Sequence, residues 1–315
     1  MRAGFENLAM EDLSAGEVVV RVEYSGVNYK DALAATGAAR ILRRSPLIGG
    51  IDLAGRVVRS EDARYRDGDA VLVTGCGLSE THDGGYAGFA RLPGDWVIPI
   101  PAPLDSRTAM AIGTAGFTAA YAIDRMEQNG LQPAAKPVVI TGASGGVGSL
   151  AIDLLSARGY EVVAVTGKPG AAAYLTSIGA ARVLLRQELE LGTRPLEAAR
   201  WSGAIDTVGG DILTWLTRTM DVSGSIASVG LAASAVLSTT VMPFILRGVN
   251  LLGISSSSVR RPERLRIWER LSTDLRPRHF ETLIVREIAF AALPSVFEEY
   301  LKGNVTGRTV VRIGH

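Results

Sequence analysis

The 315-residue chain carries one cysteine, Cys76, and three histidines, His82, His279 and His315. A single thiol excludes an intramolecular disulfide framework and every multi-thiolate zinc or iron–sulfur site, which fits a reducing compartment. No two histidines stand at metal-ligand spacing, so a zinc centre would need a mixed cluster that the sequence does not display. An excess of one charge is missing too. The 33 basic side chains face 32 acidic ones, a net +1, with no charge run of the kind that captures nucleic acid or anionic lipid. The longest apolar stretches, Val241–Leu246 and Val249–Ile254, are separated by Arg247 and Gly248, well short of a membrane span. The first residues reach Glu11 and Asp12 without an apolar core segment, so no signal peptide is expected. These absences leave a soluble cytoplasmic protein with a small-molecule partner, no nucleic acid and no membrane.

What is present is apolar residues and glycine. At 47% apolar content the chain can bury a large core, and its 36 glycines point to many tight turns and close backbone approaches. The first third reads as short strands, Glu17–Tyr24, Ala54–Val58 and Asp69–Val73, bounded by Gly, Asp or Pro. From Pro137 strands alternate with helical segments. Strands are expected at Val138–Thr141, Tyr160–Thr166, Arg182–Leu185, Ala204–Thr207, Ser225–Val229 and Val249–Ile254. Helices are expected at Leu150–Ala157, Ala171–Ile178 and Asp211–Met220. Six such strands make a doubly wound parallel sheet of two mononucleotide-binding halves. The tail adds helices at Pro262–Leu275 and Leu293–Lys302 and a last strand at Thr309–Ile313. The expected organisation is a discontinuous β-rich domain, residues 1–111 and 255–315, with a nucleotide-binding domain at 112–254 inserted between its parts.

Thr141-Gly142-Ala143-Ser144-Gly145-Gly146-Val147-Gly148 lies between an expected strand and helix. Gly145 permits a tight turn, Gly146 lets the backbone close on a pyrophosphate, and Gly148 brings helix against strand, while helix N-terminal amides hold the anion. The next strand ends at Thr166-Gly167-Lys168, where an NAD-selective site often places an acid on the ribose 2′-hydroxyl. There is no acid here. A hydroxyl and a cation suit a 2′-phosphate instead, so NADPH is the expected cofactor. Lys168 also reads as a solvated turn lysine. Arg186, after the third strand, is a second cation for that phosphate.

Several segments together resemble the zinc-free medium-chain dehydrogenase/reductase superfamily, specifically its acryloyl-CoA reductase branch of YhdH/YhfP-type quinone oxidoreductases. They are Asn28–Asp31, Gly50–Gly55, Pro93–Trp96, Ala111–Ala119, the glycine turn, Ala204–Gly209 and Thr239–Arg247, which follow one another along nearly the whole chain. The resemblance implies a GroES-like catalytic domain with an inserted Rossmann domain, NADPH in the cleft, and a homodimer. It implies hydride transfer from nicotinamide C4 to the β-carbon of an enoyl thioester and a proton to the α-carbon. It places Asn28 and Tyr29 beside nicotinamide and substrate, and Gly145, Gly146, Val147 and Gly148 on the pyrophosphate. Thr166, Gly167, Lys168 and Arg186 then surround the adenosine phosphate, and Leu231, Ile245 and Ser256 line the cofactor channel. Zinc-binding relatives place Cys, His and Glu around the segments occupied here by Asn28–Asp31 and Gly49–Asp52, so no metal is expected.

The chain departs from the branch in a few places. The resemblance implies a short strand before the segment at Leu8–Leu13, for which the sequence starts about a dozen residues late, so either the start is truncated or that strand is dispensable. Cys76 and Asp83 stand where Trp is common, which shrinks a pocket wall, and Ser255 replaces a common Asp. Reducing a conjugated thioester needs positioning and hydrogen bonds more than covalent help. Asn28 and Thr114 can donate to a carbonyl or the carboxamide, and Tyr29 can orient the nicotinamide or serve as proton source. Tyr29 also reads as a half-buried aromatic, and Lys30 with Asp31 as a surface or helix-start pair. His82 reads as a proton relay or an exposed imidazole, His279 and His315 as surface groups, and Cys76 as an inert packed thiol. Arg260 and Arg261 read as a solvated pair or as contacts for coenzyme A phosphates. Val249–Ile254 offers a strand edge for a dimer. Reduction of acryloyl-CoA to propanoyl-CoA leads, ahead of a quinone or enone reductase and a non-catalytic NADPH-binding sensor.

Overall fold

The computed structural model describes residues 3–133 and 136–314. The chain divides into two compact units, Met1–Phe117 with Ser256–Ser272 and Ile284–His315, and Thr118–Ser255 with Thr273–Leu283.

The first unit is a curled, mostly antiparallel sheet. Its strands are β1 (Val18–Gly26), β2 (Asp52–Ser60), β3 (Ala70–Thr74), β4 (Phe89–Leu92), β5 (Ile98–Pro99), β12 (Ile284–Ala289) and β13 (Arg308–Arg312). β1 is central. One edge pairs with β2, while the other is shared by β4 over Val18–Arg21 and by β13 over Tyr24–Gly26. That sharing buries Val18, Val19 and Val20 alike, so simple alternation gives way to a strand enclosed on both faces. Val20, Val22, Leu53, Val57, Val71 and Leu92 form the core. Helices α1 (Tyr29–Thr36), α7 (Arg261–Ser272) and α9 (Phe297–Leu301) belong to this unit. The helix expected over Leu293–Lys302 is divided: a 3-10 turn runs over Phe290–Ser295 and α9 follows it. Pro294 has no N–H to continue an α-helical ladder, so the first turn tightens instead. Likewise α7 stops at Ser272, short of the expected Leu275, as the chain approaches Pro277.

The second unit is a six-stranded parallel sheet of β6 (Val138–Thr141), β7 (Val162–Thr166), β8 (Arg182–Leu185), β9 (Trp201–Asp206), β10 (Met220–Ser228) and β11 (Asn250–Gly253). The order is β11-β10-β9-β6-β7-β8, the doubly wound arrangement whose direction reverses between β6 and β9. Its helices are α3 (Gly146–Ala157), α4 (Ala172–Ser177), α5 (Gly210–Thr219), α6 (Met242–Arg247) and α8 (Phe280–Leu283). All six strands are where the sequence places them, within a few residues. The inner strands β6, β7 and β9 are buried on both faces and read as short continuous apolar runs, while the edge strands β8 and β11 are partly exposed. α2 (Ser106–Gln128), absent from the sequence expectations, is two helical segments that meet at a kink at Gly113, whose φ of 52 favours glycine. No described helix is long and apolar enough to cross a membrane.

Candidate active site

In the first unit, α1 starts at Tyr29 because Asn28 is extended (φ −122, ψ 158) and Asp31, in the first turn, returns a carboxylate oxygen to the Asn28 N–H at 2.8 Å. The Asn28 side chain then faces inward, 8% exposed. Its Nδ2 donates to Asp52 Oδ2 at 2.7 Å and to Asp31 Oδ2 at 3.3 Å, and its Oδ1 accepts from Arg308 at 3.2 Å. Thr114 donates its N–H to Asp52 at 3.0 Å and its hydroxyl at 2.5 Å. Arg308 donates to the Ala111 and Val27 carbonyls, with its guanidinium 4.0 Å from Asp52. The donors of Asn28 and the hydroxyl of Thr114, expected to reach a substrate, are thus committed to carboxylates, chiefly Asp52. Their geometry is that of residues held in place.

Tyr29, expected beside them, is 45% exposed, and its phenol makes no hydrogen bond among the described residues. Lys30 and Asp31 stand at the start of α1, as one of the two expectations had it, but not as plain surface groups: Lys30 turns to Glu80, and Asp31 is buried. Asp52 and Arg308 were not singled out as site residues. A signal existed, since Arg308 opens the buried strand β13 and a guanidinium there needs an internal anion or carbonyls.

Burial, and then the Asp52 charge, push the Asp31 carboxyl up to about 7, against the Asn28 and Ile51 N–H groups that pull it down. The unfolded carboxyl ionises near its ordinary 3.8, so between that value and about 7 the folded chain holds more protons than the unfolded one. The contribution of Asp31 to stability therefore falls as pH rises through this window. Asp31→Asn removes that fall. Urea midpoints compared at about pH 4.5 and about pH 8 should differ less in the variant than in the parent. An unchanged difference would assign the dependence to other groups.

In the second unit, β6 runs through the glycine turn into α3, whose first residue is Gly146. A Cβ on Gly148 would lie 2.6 Å from the Gly142 carbonyl and 2.7 Å from Ala143 Cα, so this glycine sets the helix against the strand. A Cβ on Gly145 would meet only the Gly142 carbonyl, at 3.3 Å. Among the described residues no other atom outside its chain neighbours comes within 4 Å of that position, and α3 opens there with its first amides. This is a cradle of the shape a pyrophosphate takes. Ser144 Oγ lies 3.2 Å from Thr166 Oγ1, which accepts from the Lys168 N–H at 3.1 Å. The Arg186 guanidinium packs about the Gly167 Cα, 3.4 Å from where a Cβ would stand. Ser144, Thr166, Gly167, Lys168 and Arg186 therefore gather at one edge of the sheet's carboxyl end, and burial lowers the Lys168 ammonium from its ordinary value. A hydroxyl and two cations with no acid fit a 2′-phosphate.

At the reversal of strand order, Thr141 donates to the buried Asp206 at 2.6 Å, and Asp206 accepts from the Gly209 N–H at 2.9 Å. Burial raises the Asp206 carboxyl despite these bonds. Leu231 lines a cavity of about 280 Å³ with Gly209, Gly210 and Ser234 beside this clamp. Ile245, on α6, is 72% exposed. Ser256 belongs to the first unit, where its carbonyl accepts from Arg264 at 3.0 Å.

The remaining candidates settle elsewhere. His82 is not exposed: it is buried, its two ring nitrogens each 3.0 Å from a carbonyl, of Asp83 and Ala15, and it meets Trp96 edge-on. Asp83 anchors the N-terminal segment by accepting from Ser14 and Ile48. His279 Nδ1 lies 2.6 Å from the buried Asp153, a more specific place than a bare surface. His315 lies outside the described residues. Burial pushes the Cys76 thiol up, away from the thiolate a nucleophile needs. Among the described residues no three His, Cys, Asp or Glu side chains gather to hold a metal ion.

A β-rich unit built round a buried polar network and a doubly wound unit with a phosphate-binding glycine turn define a nicotinamide-dependent dehydrogenase or reductase. The chain matches the alcohol dehydrogenase GroES-like domain over residues 14–102 and the zinc-binding dehydrogenase family over 146–272. It is 48% identical over 313 residues to acrylyl-CoA reductase AcuI of Ruegeria pomeroyi, covering 99% of this chain and 94% of that protein. The yhdH oxidoreductase of Salmonella enterica, solved with NADP, is 47% identical with a TM-score of 0.94, covering 98% of this chain and 95% of that one. The putative quinone oxidoreductase YhfP of Bacillus subtilis is 44% identical, covering 98% of this chain and 94% of that protein. Its structure, solved with NAD, gives a TM-score of 0.94 and covers 97% and 93%. The chain belongs to the medium-chain dehydrogenase/reductase family, in its zinc-free acrylyl-CoA reductase branch.

Proposed function

We propose that this protein is an NADPH-dependent reductase of a short α,β-unsaturated acyl-CoA, taking acryloyl-CoA to propanoyl-CoA. The observation that carries it is the gathering of Thr166, Lys168 and Arg186 beside a glycine cradle, in a chain 48% identical to an acrylyl-CoA reductase. Bound NADPH supplies the hydride for the β-carbon. The glycine turn and the α3 amides hold its pyrophosphate, Lys168 and Arg186 hold the 2′-phosphate, and Leu231 and Ile245 bound its channel. Asp52 fixes Asn28 and Thr114, so these two orient the reacting groups through a rigid frame rather than through mobile donors.

That leaves the Tyr29 phenol as the donor that meets the enolate oxygen or delivers the proton to the α-carbon. Tyr29→Phe is therefore expected to lower kcat by about a hundredfold with the KM for NADPH within about twofold. A rate equal to the parent's would make Tyr29 a packing residue. Reduction of a quinone by the same hydride geometry is the second reading, favoured by the likeness to YhfP. The exposed edge of β11, with Ile245 and Leu246 exposed nearby on α6, suits a symmetric homodimer by strand pairing. A cytoplasmic setting accords with the lone thiol.

A further inference from the structure

In the first unit, α7 begins beside a second concavity of about 280 Å³, whose lining includes Asp95, Trp96, Ser258, Arg260, Arg261 and Arg264. The polar framework around it is unevenly charged. Arg264 is 1% exposed, yet among the described residues its guanidinium pairs with no carboxylate. It donates to the Thr74 carbonyl at 2.8 Å, the Thr74 hydroxyl at 3.1 Å and the Ser256 carbonyl at 3.0 Å, and stacks over Phe117 at 4.8 Å. Those bonds take up three of its five N–H hydrogens with neutral acceptors, and burial lowers its pKa against the pull of Cys76 and the Asp52 charge. Arg260 is exposed, and its guanidinium makes no hydrogen bond or ion pair among the described residues, although its carbonyl accepts from the Arg264 N–H at 3.0 Å. Arg261 is committed to the carbonyls of Val97, Gly94 and Asp95. Asp62 and Asp95 both pair with Arg64, and Glu263, in the first turn of α7, pairs with Arg266. The cavity's own lining thus carries three guanidinium groups and one carboxylate, Asp95, and one part of its wall is a buried cation.

A buried, unneutralised guanidinium lowers its energy when an anion takes the open side, and guanidinium forks match phosphate oxygens. The twelve-residue α7 adds the partial positive charge of its N-terminus on the same side. A volume of about 280 Å³ takes a phosphate ester and the group bearing it, not a whole dinucleotide. The half-buried Trp96 supplies an apolar wall for that group.

We propose that this concavity is a phosphate-ester subsite, and that its occupant is the phosphorylated adenosine end of the coenzyme A thioester. The inference rests on the acyl-CoA reading and names where that substrate's charged end binds. Arg260 is the residue to change, since its side chain is exposed and supports no hydrogen bond or ion pair among the described residues.

In steady-state assays, Arg260→Gln should raise the KM for acryloyl-CoA about tenfold, the value of one charge-assisted hydrogen bond. kcat, the KM for NADPH and the KM for the acryloyl thioester of N-acetylcysteamine should stay within about twofold, and Arg260→Lys should recover most of the loss. Adenosine 3′,5′-bisphosphate should compete with acryloyl-CoA in the parent and about tenfold more weakly in Arg260→Gln. Equal changes for both thioesters, or none, would overturn the subsite while leaving the acyl-CoA reading intact. A rise confined to the KM for NADPH would overturn it too, because the phosphate served would then be the cofactor's. If the parent reduces neither thioester but does reduce a quinone, the acyl-CoA reading itself fails.

Discussion

Replacing Asp52 by Ala is expected to lower folding stability by about 3–5 kcal/mol, the range for removing one member of a buried ion pair and leaving the other uncompensated. Asp52 is fully buried and accepts from Asn28 and from both the N–H and hydroxyl of Thr114, with Arg308 at 4.0 Å. The surrounding backbone has closed on the pair. A Cβ on Gly113 would stand 2.7 Å from Asp52 Oδ2 and 2.8 Å from Arg308, so little room remains for water to replace the lost carboxylate. The measurement is the shift in urea midpoint multiplied by the slope of the transition. A loss below about 1 kcal/mol would mean that Arg308 finds its compensation in carbonyls alone.

The second large effect separates two glycines of one turn. Gly148→Ala forces a methyl to within 2.6 Å of the Gly142 carbonyl and 2.7 Å of Ala143 Cα, both backbone atoms that cannot swing aside. Strain of about 3 kcal/mol and a fall in thermal midpoint of several degrees are expected, with loss of cofactor binding as α3 leaves its place. Gly145→Ala meets only one atom, at 3.3 Å, and Gly145 has an ordinary φ of −77. That variant should keep its midpoint within about two degrees yet bind NADPH about tenfold more weakly, because the methyl stands where the pyrophosphate would. Unchanged NADPH affinity in Gly145→Ala would place the pyrophosphate elsewhere.

The doubly wound unit was legible because local and global signals agree in it. Val138–Thr141 and Arg182–Leu185 are observed with the bounds the sequence suggests, and the glycine turn falls at the strand-to-helix junction that gives it meaning. The β-rich unit was read less completely. β12 is a short edge strand with alternating exposure and Arg286 and Glu287 in its middle, which gives it no apolar run to notice. α2 escaped because Gly113 and Gly116 interrupt what would otherwise read as a long helix.

The site was legible where residues act through the backbone and obscure where they act through each other. Tyr29 and the phosphate cluster are local motifs. The commitment of Asn28 and Thr114 to Asp52 is not local, since it joins residues 28, 52, 114 and 308, and no spacing rule brings those together. His82 shows the same limit: a glycine-rich loop suggests exposure, but its ring is enclosed by the Ala15 carbonyl and Trp96.

The most direct test of the account is NADPH oxidation at fixed enzyme concentration with acryloyl-CoA, crotonyl-CoA and benzoquinone in parallel, repeated with NADH. The account predicts that acryloyl-CoA with NADPH gives the highest kcat/KM, and that NADH lowers it by about a hundredfold or more for want of the 2′-phosphate contacts. A preference for benzoquinone, or equal use of NADH, would contradict it.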